Sequence, residues 1–330
     1  MRALCFALLS VVLSTHGAEQ SPTSFRLARP AKYSGMSDAS AAVAVSSNLF
    51  LVADDEDNKL RLYRNDQGGS PVKEFDLAAF LEVRGKSLES DLEGAARIGD
   101  RAFWISSHGR NKVGKVRPNR DRFFATDIKL ANGEVTITTV GKPYKKLLDD
   151  LAADSRFESF HFAEAATRAP KTIGALNIEG LSATPEGHLL IGFRNPIPDG
   201  KALLIPLVNP DEVIAGKIPS FEPAIQLDLS GLGIRDIALH EGVYVIIAGA
   251  SHGGGPFQIY LWKGPGTRPE PQSVKHLADY HPEAIVIYPE RELKEFQILS
   301  DDGKLRLDGI SAREITDPSR KSFRSFWLVR

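Results

Sequence analysis

From about residue 35 onward the chain breaks into short apolar runs separated by Gly, Pro, Asn and Asp. That is the pattern of many short antiparallel strands. It also repeats. Five segments share one form: a polar residue, a short apolar strand, a turn, a more apolar strand and a polar loop. They are "SAAVAVSSNLFLVADDEDN" from Ser40, "EGAARIGDRAFWISSHGRN" from Glu93, "EGLSATPEGHLLIGFRN" from Glu179, "DIALHEGVYVIIAGASHGG" from Asp236 and "EAIVIYPERELKEFQILSDDG" from Glu283. Their starts lie 53, 86, 57 and 47 residues apart. Self-similarity at this period marks a repeat architecture, and three of the spacings suit one four-stranded propeller blade each.

The pattern therefore predicts an all-β, five-bladed β-propeller, with six or more blades as the alternative. In the fifth unit only three strands remain before the chain ends, "FRSFWLV" being the third. The missing outer strand can come from "SFRLARPAKY", ahead of the first repeat. Such an exchange closes the ring and leaves no free sheet edge. The long interval predicts a helical insertion at about 142–172. Tyr144, Leu147, Leu148 and Leu151 fall at helical spacing there, with Pro143 suited to a first turn. The insertion reads as a decoration packed on the blades or as a lid over one face.

The first residues add a processing signal. Met1 and Arg2 precede an apolar run from Ala3 to Leu13 and a small, polar exit through Gly17 and Ala18, the layout of a secretory signal peptide over 1–18. The run is too short to span a bilayer of about 30 Å as a helix. The expectation is an exported protein, periplasmic or extracellular, with no membrane attachment after cleavage and 19–330 as a single domain. Cys5, the one cysteine, lies inside this run, so the mature chain has no cysteine chemistry. Lys plus Arg is 41 and Asp plus Glu is 42. That balance excludes a nucleic-acid surface as the main business and leaves a monomer acting on small molecules as the expected form.

In propeller topology the start of each inner strand and the loop after the second strand share one end of the channel. Glu93, Glu179, Asp236 and Glu283 are then expected around its mouth, below Asp55, His108, Arg194 with Asn195, His252, and Asp301 with Asp302. Four carboxylates around one opening need compensation. A hard cation such as Ca²⁺, which takes six to eight oxygens, is one solution; ion pairs with Arg110, Arg194 and Arg235 are the other. "SSHGR" and "ASHGG" place His108 and His252 at matching positions, where histidine can exchange protons or make a fixed loop hydrogen bond. Arg110, Asn111, Arg194 and Asn195 are the candidate contacts for an anionic or polar ligand, with Lys112 and Lys115 nearby. Gly249-Ala250-Ser251-His252-Gly253 fits G-x-S-x-G, yet a strand follows it rather than the helix a nucleophile elbow needs. "DDEDN" at 54–58 lacks calcium-loop spacing.

"DLEGAARIGDRAFWISSHGRNK" and "IEGLSATPEGHLLIGFRNP" resemble an uncharacterised bacterial family of exported propellers, the domain-of-unknown-function family 3616, over about residues 35–328. The resemblance implies the fold and no particular reaction. A more distant similarity is to phytase-like and esterase-like propellers, in which an "EGL" segment enters the channel and acidic loops bind calcium. Glu179-Gly180-Leu181, Pro185 and Gly187 match that pattern, while Phe193-Arg194-Asn195 stands where an acidic residue is expected. Fold likeness is a weak warrant for activity. Two functions remain open from sequence: a metal-assisted phosphoester or ester hydrolase, and a propeller that binds a small polar or anionic ligand without turnover.

Overall fold

The computed structural model describes residues 24–252 and 254–330; the signal peptide expected over 1–18 lies outside the described residues. The chain is all-β and propeller-like. Its first strand is β1 (Ser24–Ser34). One four-stranded sheet follows in the order β2 (Ala39–Ser46), β3 (Leu49–Asp54), β4 (Lys59–Arg64) and β5 (Lys73–Asp76). A second comprises β6 (Leu92–Ile98), β7 (Arg101–Ser106), β8 (Phe123–Ala131) and β9 (Glu134–Tyr144). A third comprises β10 (Asn177–Ala183), β11 (Leu189–Asn195), β12 (Ala202–Leu207) and β13 (Ile225–Leu227).

The remaining long strands are β14 (Gly233–His240), β15 (Val243–Gly249), β16 (Phe257–Trp262), β17 (Glu270–Val274), β18 (Pro282–Val286) and β19 (Glu295–Ser300). After the two-residue strands β20 (Arg306–Leu307) and β21 (Ile310–Ser311) comes β22 (Ser322–Val329). These long strands and β1 form one eight-stranded sheet in the order β14-β15-β16-β17-β1-β22-β19-β18. Its two halves join only where Ser24 and Phe25 pair in parallel with Ser273 and Val274. By contrast, β1 runs antiparallel along β22 from Arg26↔Val329 to Ser34↔Ser322, so the start of the described chain supplies an outer strand beside its end.

The innermost strands β2, β6, β10, β14 and β18 touch in cyclic order, β18 returning to β2. Apolar layers fill the spaces between sheets. Tyr33 of β1 is fully buried against Phe50, Tyr63 and Phe323, and Trp104 is fully buried with its indole N–H donated to Thr126 Oγ1 at 3.0 Å. The connection from β9 to β10 carries a helix, Leu147–Ala153, then a 3₁₀ turn, Ser155–Phe160, and a short helix, Phe162–Ala165. The helical spacing read from the sequence starts one turn too early: Pro143 and Tyr144 complete β9. There the Tyr144 hydroxyl donates to Asp150 at 2.6 Å and fastens the helix to the strand end. Leu147, Leu151, Phe157 and Phe162 pack into one core with Phe123, Phe193 and Phe221, so the insertion is bonded to the sheets through its apolar side.

Candidate functional site

Each inner strand departs from regular pairing at the same place. The register shifts lie between Ala39 and Ala41, Leu92 and Gly94, Ile178 and Gly180, Ile234 and Asp236, and Pro282 and Ala284. The residue left over at each bulge is Ser40, Glu93, Glu179, Arg235 or Glu283. A bulge re-aims a side chain, and all five of these residues line a cavity of about 380 Å³ at one end of the channel. Two positions further along each strand, Ala42, Ala95, Leu181, Ile237 and Ile285 line a separate cavity at the other end. Period-two alternation thus gives one channel a charged mouth and an apolar base.

The residue after the bulge faces the neighbouring inner strand. A Cβ on Gly94 would lie 3.0 Å from the Leu181 backbone nitrogen, and one on Gly180 would lie 2.8 Å from Ile234 Cγ2. Asp236 occupies this position in β14. Its carboxylate accepts the N–H groups of Ile237 at 2.8 Å and of Ile285 in β18 at 2.7 Å. Burial raises its pKa well above the usual carboxylate range and the two N–H bonds oppose that rise. Asp236 therefore sits beside the ring, and Arg235 occupies the fourth place in it.

Arg235 changes the electrostatics of the mouth. It pairs with Glu179 at 3.1 Å and, through Nε at 2.8 Å and through Nη2, with Glu283. Arg194 Nη1 donates to Glu179 at 2.8 Å while its Nε holds Ala250 O at 3.1 Å. Burial and the adjacent Arg194 bring the Arg235 pKa down to about 10. Two of the four expected ring carboxylates are thus matched by arginines. Glu93 has no ion-pair or hydrogen-bond partner among the described residues, and burial together with Glu179 and Asp91 pushes its pKa well up.

Ten Asp or Glu and eight Lys or Arg side chains line the mouth, so what matters is how the charges are sorted. On one side Arg313 joins Asp38, Glu56 at 3.1 Å, and Asp55 and Asp301 at 3.9 Å. Arg120 joins Asp91 at 2.8 Å and Glu89 at 3.2 Å. The Asp38 and Asp91 pKa values are both raised to about 6, mainly by burial. Asp55 Oδ1 is buried without a partner. Carboxylate oxygens of Asp55, Asp91 and Glu93 lie within 4.8 Å of one another, as do those of Asp38, Asp55 and Glu56. These are hard donors of the kind Ca²⁺ takes.

The mouth also carries a cationic pair. Lys171, at the end of the helical insertion, and Lys304, in the loop after β19, meet near Arg194 and Arg235. Among the described residues neither lysine has a carboxylate within 4 Å. Partial burial, then Lys304 and Arg194, lower the Lys171 pKa to about 8.

The other residues singled out from sequence lie elsewhere. His108 is buried behind the mouth, with Nδ1 2.8 Å from Ser106 O and Nε2 without a partner. Burial lowers its pKa and keeps the ring neutral. Neighbouring Ser107 bonds Asp91, and its carbonyl accepts Ile178 N–H at 3.0 Å, tying this loop to β10. Arg110 donates to Ala166 O at 2.7 Å and Gly114 O at 3.0 Å, which anchors the insertion. Asn111 and Lys112 do reach the mouth, although the Asn111 carboxamide oxygen is engaged by Lys115 N–H at 2.8 Å. Asn195 holds Pro170 O and Thr172 O, at 3.2 and 2.7 Å. Together with exposed His252 it borders a neighbouring cavity that also receives His161. Asp302 is buried and paired with Arg324 at 2.7 Å.

Sequence reasoning missed Lys171, Lys304, Arg313 and Arg120 as mouth residues. Their loops have no counterpart in the other repeats. Arg235 was legible as an ion-pair candidate, and only the bulge register places it in the ring.

A family model described as "Protein of unknown function (DUF3616)" matches residues 126–292, just over half of the chain. The chain belongs to this family. No curated protein matches the DUF3616 chain. Among solved structures it is similar to the Myxococcus xanthus glutaminyl cyclase, at 11% identity over 94% of this chain and 100% of that one, with a TM-score of 0.48. It is also similar to the PQQ-bound aldose sugar dehydrogenase of Streptomyces coelicolor, at 9% identity over 93% and 100%, with a TM-score of 0.42. Neither activity is carried over to the DUF3616 protein.

Proposed function

We propose that this DUF3616 protein is an exported, monomeric, five-bladed propeller whose channel mouth binds a small anionic molecule without turnover. Five inner strands in cyclic contact and five bulges at one position support the blade count. The observation that carries the binding reading is the meeting of Lys171 and Lys304 with no carboxylate at hand, beside Arg194 and Arg235. Like charges held together raise the free energy of the empty mouth, and a carboxylate or phosphate between them would relieve it. An anion would find two lysine ammonium groups there, with the guanidinium groups below already held in place by Glu179 and Glu283. No histidine lines the mouth among the described residues, and Asp38, Asp91, Glu179 and Glu283 are held by arginines, which favours binding over hydrolysis. Titration calorimetry with inorganic phosphate should show one site. Lys171→Ala with Lys304→Ala should weaken it at least tenfold, about 1.4 kcal/mol. Unchanged affinity in that variant would remove the proposal.

A second reading rests on Asp55, Asp91 and Glu93. The orphaned Asp55 Oδ1 and unpartnered Glu93 suit one Ca²⁺, which would neutralise the acidic side and draw a phosphoester toward it. Asp55, Asp91 and Glu93 would hold the ion, while Glu179 and Glu283 remain with their arginines. In chelator-stripped protein Ca²⁺ at about 100 times its dissociation constant should add about 2.7 kcal/mol of stability. Glu93→Gln should abolish that gain, and p-nitrophenyl phosphate turnover should appear only with the ion. A melting temperature indifferent to Ca²⁺ would dismiss this reading and leave the anion site standing.

A further inference from the structure

The mouth holds groups of both signs that the protein itself leaves unmatched. Lys171 and Lys304 come from two non-repeating loops and meet without a carboxylate partner. Glu93 is their counterpart. The bulge in β6 turns its side chain into the same cavity of about 380 Å³. There it is only partly buried, and among the described residues it has neither a hydrogen-bond nor an ion-pair partner. The other ring carboxylates are taken, Glu179 by Arg194 and Arg235 and Glu283 by Arg235. The same two guanidinium groups act on Lys171 and on Glu93, so both unmatched sets lie beside one pair of arginines. No ion pair joins either lysine to Glu93 among the described residues, and a gap therefore separates the two sets. Ten Asp or Glu and eight Lys or Arg line the cavity, so a ligand that brings only negative charge adds to an excess already present.

We propose that the ligand of this mouth is a small zwitterion, with a phosphate or carboxylate between Lys171 and Lys304 and a primary ammonium group at Glu93. The inference rests on the anion reading and narrows it to one class of molecule. Binding exchanges two unmatched sets for two ion pairs inside a cavity, where such pairs are stronger than at an open surface. Burial, with Glu179 and Asp91 beside it, favours the protonated form of Glu93 in the empty mouth. An ammonium group favours the ionised form, so this end of the ligand displaces that proton to solvent. An ammonium has three N–H groups to place, where a calcium ion at the same residue would need six to eight oxygens.

The test is titration calorimetry of the folded chain, in chelator, with 3-aminopropyl phosphate and propyl phosphate and with the matching two-, four- and five-carbon pairs. At least one amino compound should bind at one site, about tenfold or more tighter than its alkyl partner. Glu93→Gln, nearly the same in shape, should bring that ratio to within about twofold, while Lys171→Ala with Lys304→Ala should weaken both partners. The N-trimethyl analogue of the preferred compound has no N–H to donate and should bind the unaltered chain no better than the alkyl phosphate. That measurement decides the matter should Glu93→Gln fail to fold. Equal affinity within every pair, with inorganic phosphate still bound, would overturn the zwitterion and keep the anion site. Absence of binding by every phosphate would remove both. A preference that survives in folded Glu93→Gln, or that the trimethyl analogue keeps, would also overturn the proposal, because the acidic field of the whole mouth rather than contact with Glu93 would then be its source.

Discussion

At the residue scale the mouth is governed by which charges find partners. Glu179, Glu283, Arg194 and Arg235 form one closed set of ion pairs, and in buried surroundings such a set holds its geometry because losing any member leaves an uncompensated charge. Lys171 is the residue whose protonation is open to a ligand. Its pKa in the empty protein is lowered from 10.5 to about 8. A bound anion favours the charged ammonium and raises that value, so binding near pH 8 takes up a proton. Affinity is accordingly full below pH 8 and is lost as pH rises through it, by up to about tenfold per unit if one proton is required. Sulfate, fully ionised throughout, is the probe for a calorimetric series from pH 6 to 10. The decline should vanish in Lys171→Arg, whose guanidinium stays charged. A flat profile in the unaltered protein would show that Lys171 takes no part.

At the scale of the element the bulge in each inner strand sorts three successive functions. The bulge residue faces the mouth, the next residue meets the adjacent blade, and the one after that lines the apolar base. Gly180→Ala should cost about 1–3 kcal/mol, because its new Cβ has backbone and β-branched neighbours on three sides. Asp236→Asn should cost a similar amount, about 1–3 kcal/mol, since it leaves one buried N–H facing an amide donor. Chemical denaturation measures both, and a change below about 0.5 kcal/mol in either would deny the blade-to-blade contact. These three roles also explain what the sequence could and could not disclose. "EGA" and "EGL" announce the glutamate and the close approach directly, and the strand order of the second sheet follows "RAFWISS", "RFFATDIKL" and "EVTITTV" closely. In "IRDIAL" the acidic residue looks like the counterpart of Glu93, because alignment by charge ignores register. The bulge is a backbone event, and it moves Asp236 one place along and puts Arg235 in the ring. His108 and His252 match in sequence yet part in space, since the loops bearing them differ: one folds inward against Asp91 and β10, the other opens beside the insertion. Lys171 and Lys304 come from non-repeating connections, for which periodicity carries no information.

At the scale of the molecule the ring depends on a strand that is distant in sequence. β1 pairs along β22 and buries Tyr33 among Phe50, Tyr63 and Phe323, so it joins the last strands of the chain to the first complete sheet. Without it β22 presents an unpaired edge, a template for association with other chains, and an aromatic layer opens to water. Tyr33→Ala should cost about 3–5 kcal/mol, as for other large aromatic truncations in a packed core. A chain beginning at residue 35 should lose more. Light scattering after gel filtration should find it associated or unfolded, and the chain from residue 24 monomeric. A synthetic peptide of residues 24–36, added during refolding, should restore the monomer, because the strand needs to be present but does not need to be covalently attached. The same peptide with Tyr33→Ala should do so poorly. If the shortened chain is monomeric and melts within about 2 °C of the longer one, β1 is an ornament and the sheets close without it. Recovery of the shortened chain by the peptide would instead place the stability of both channel ends, and of any ligand each one holds, under the control of a single outer strand that contacts neither cavity.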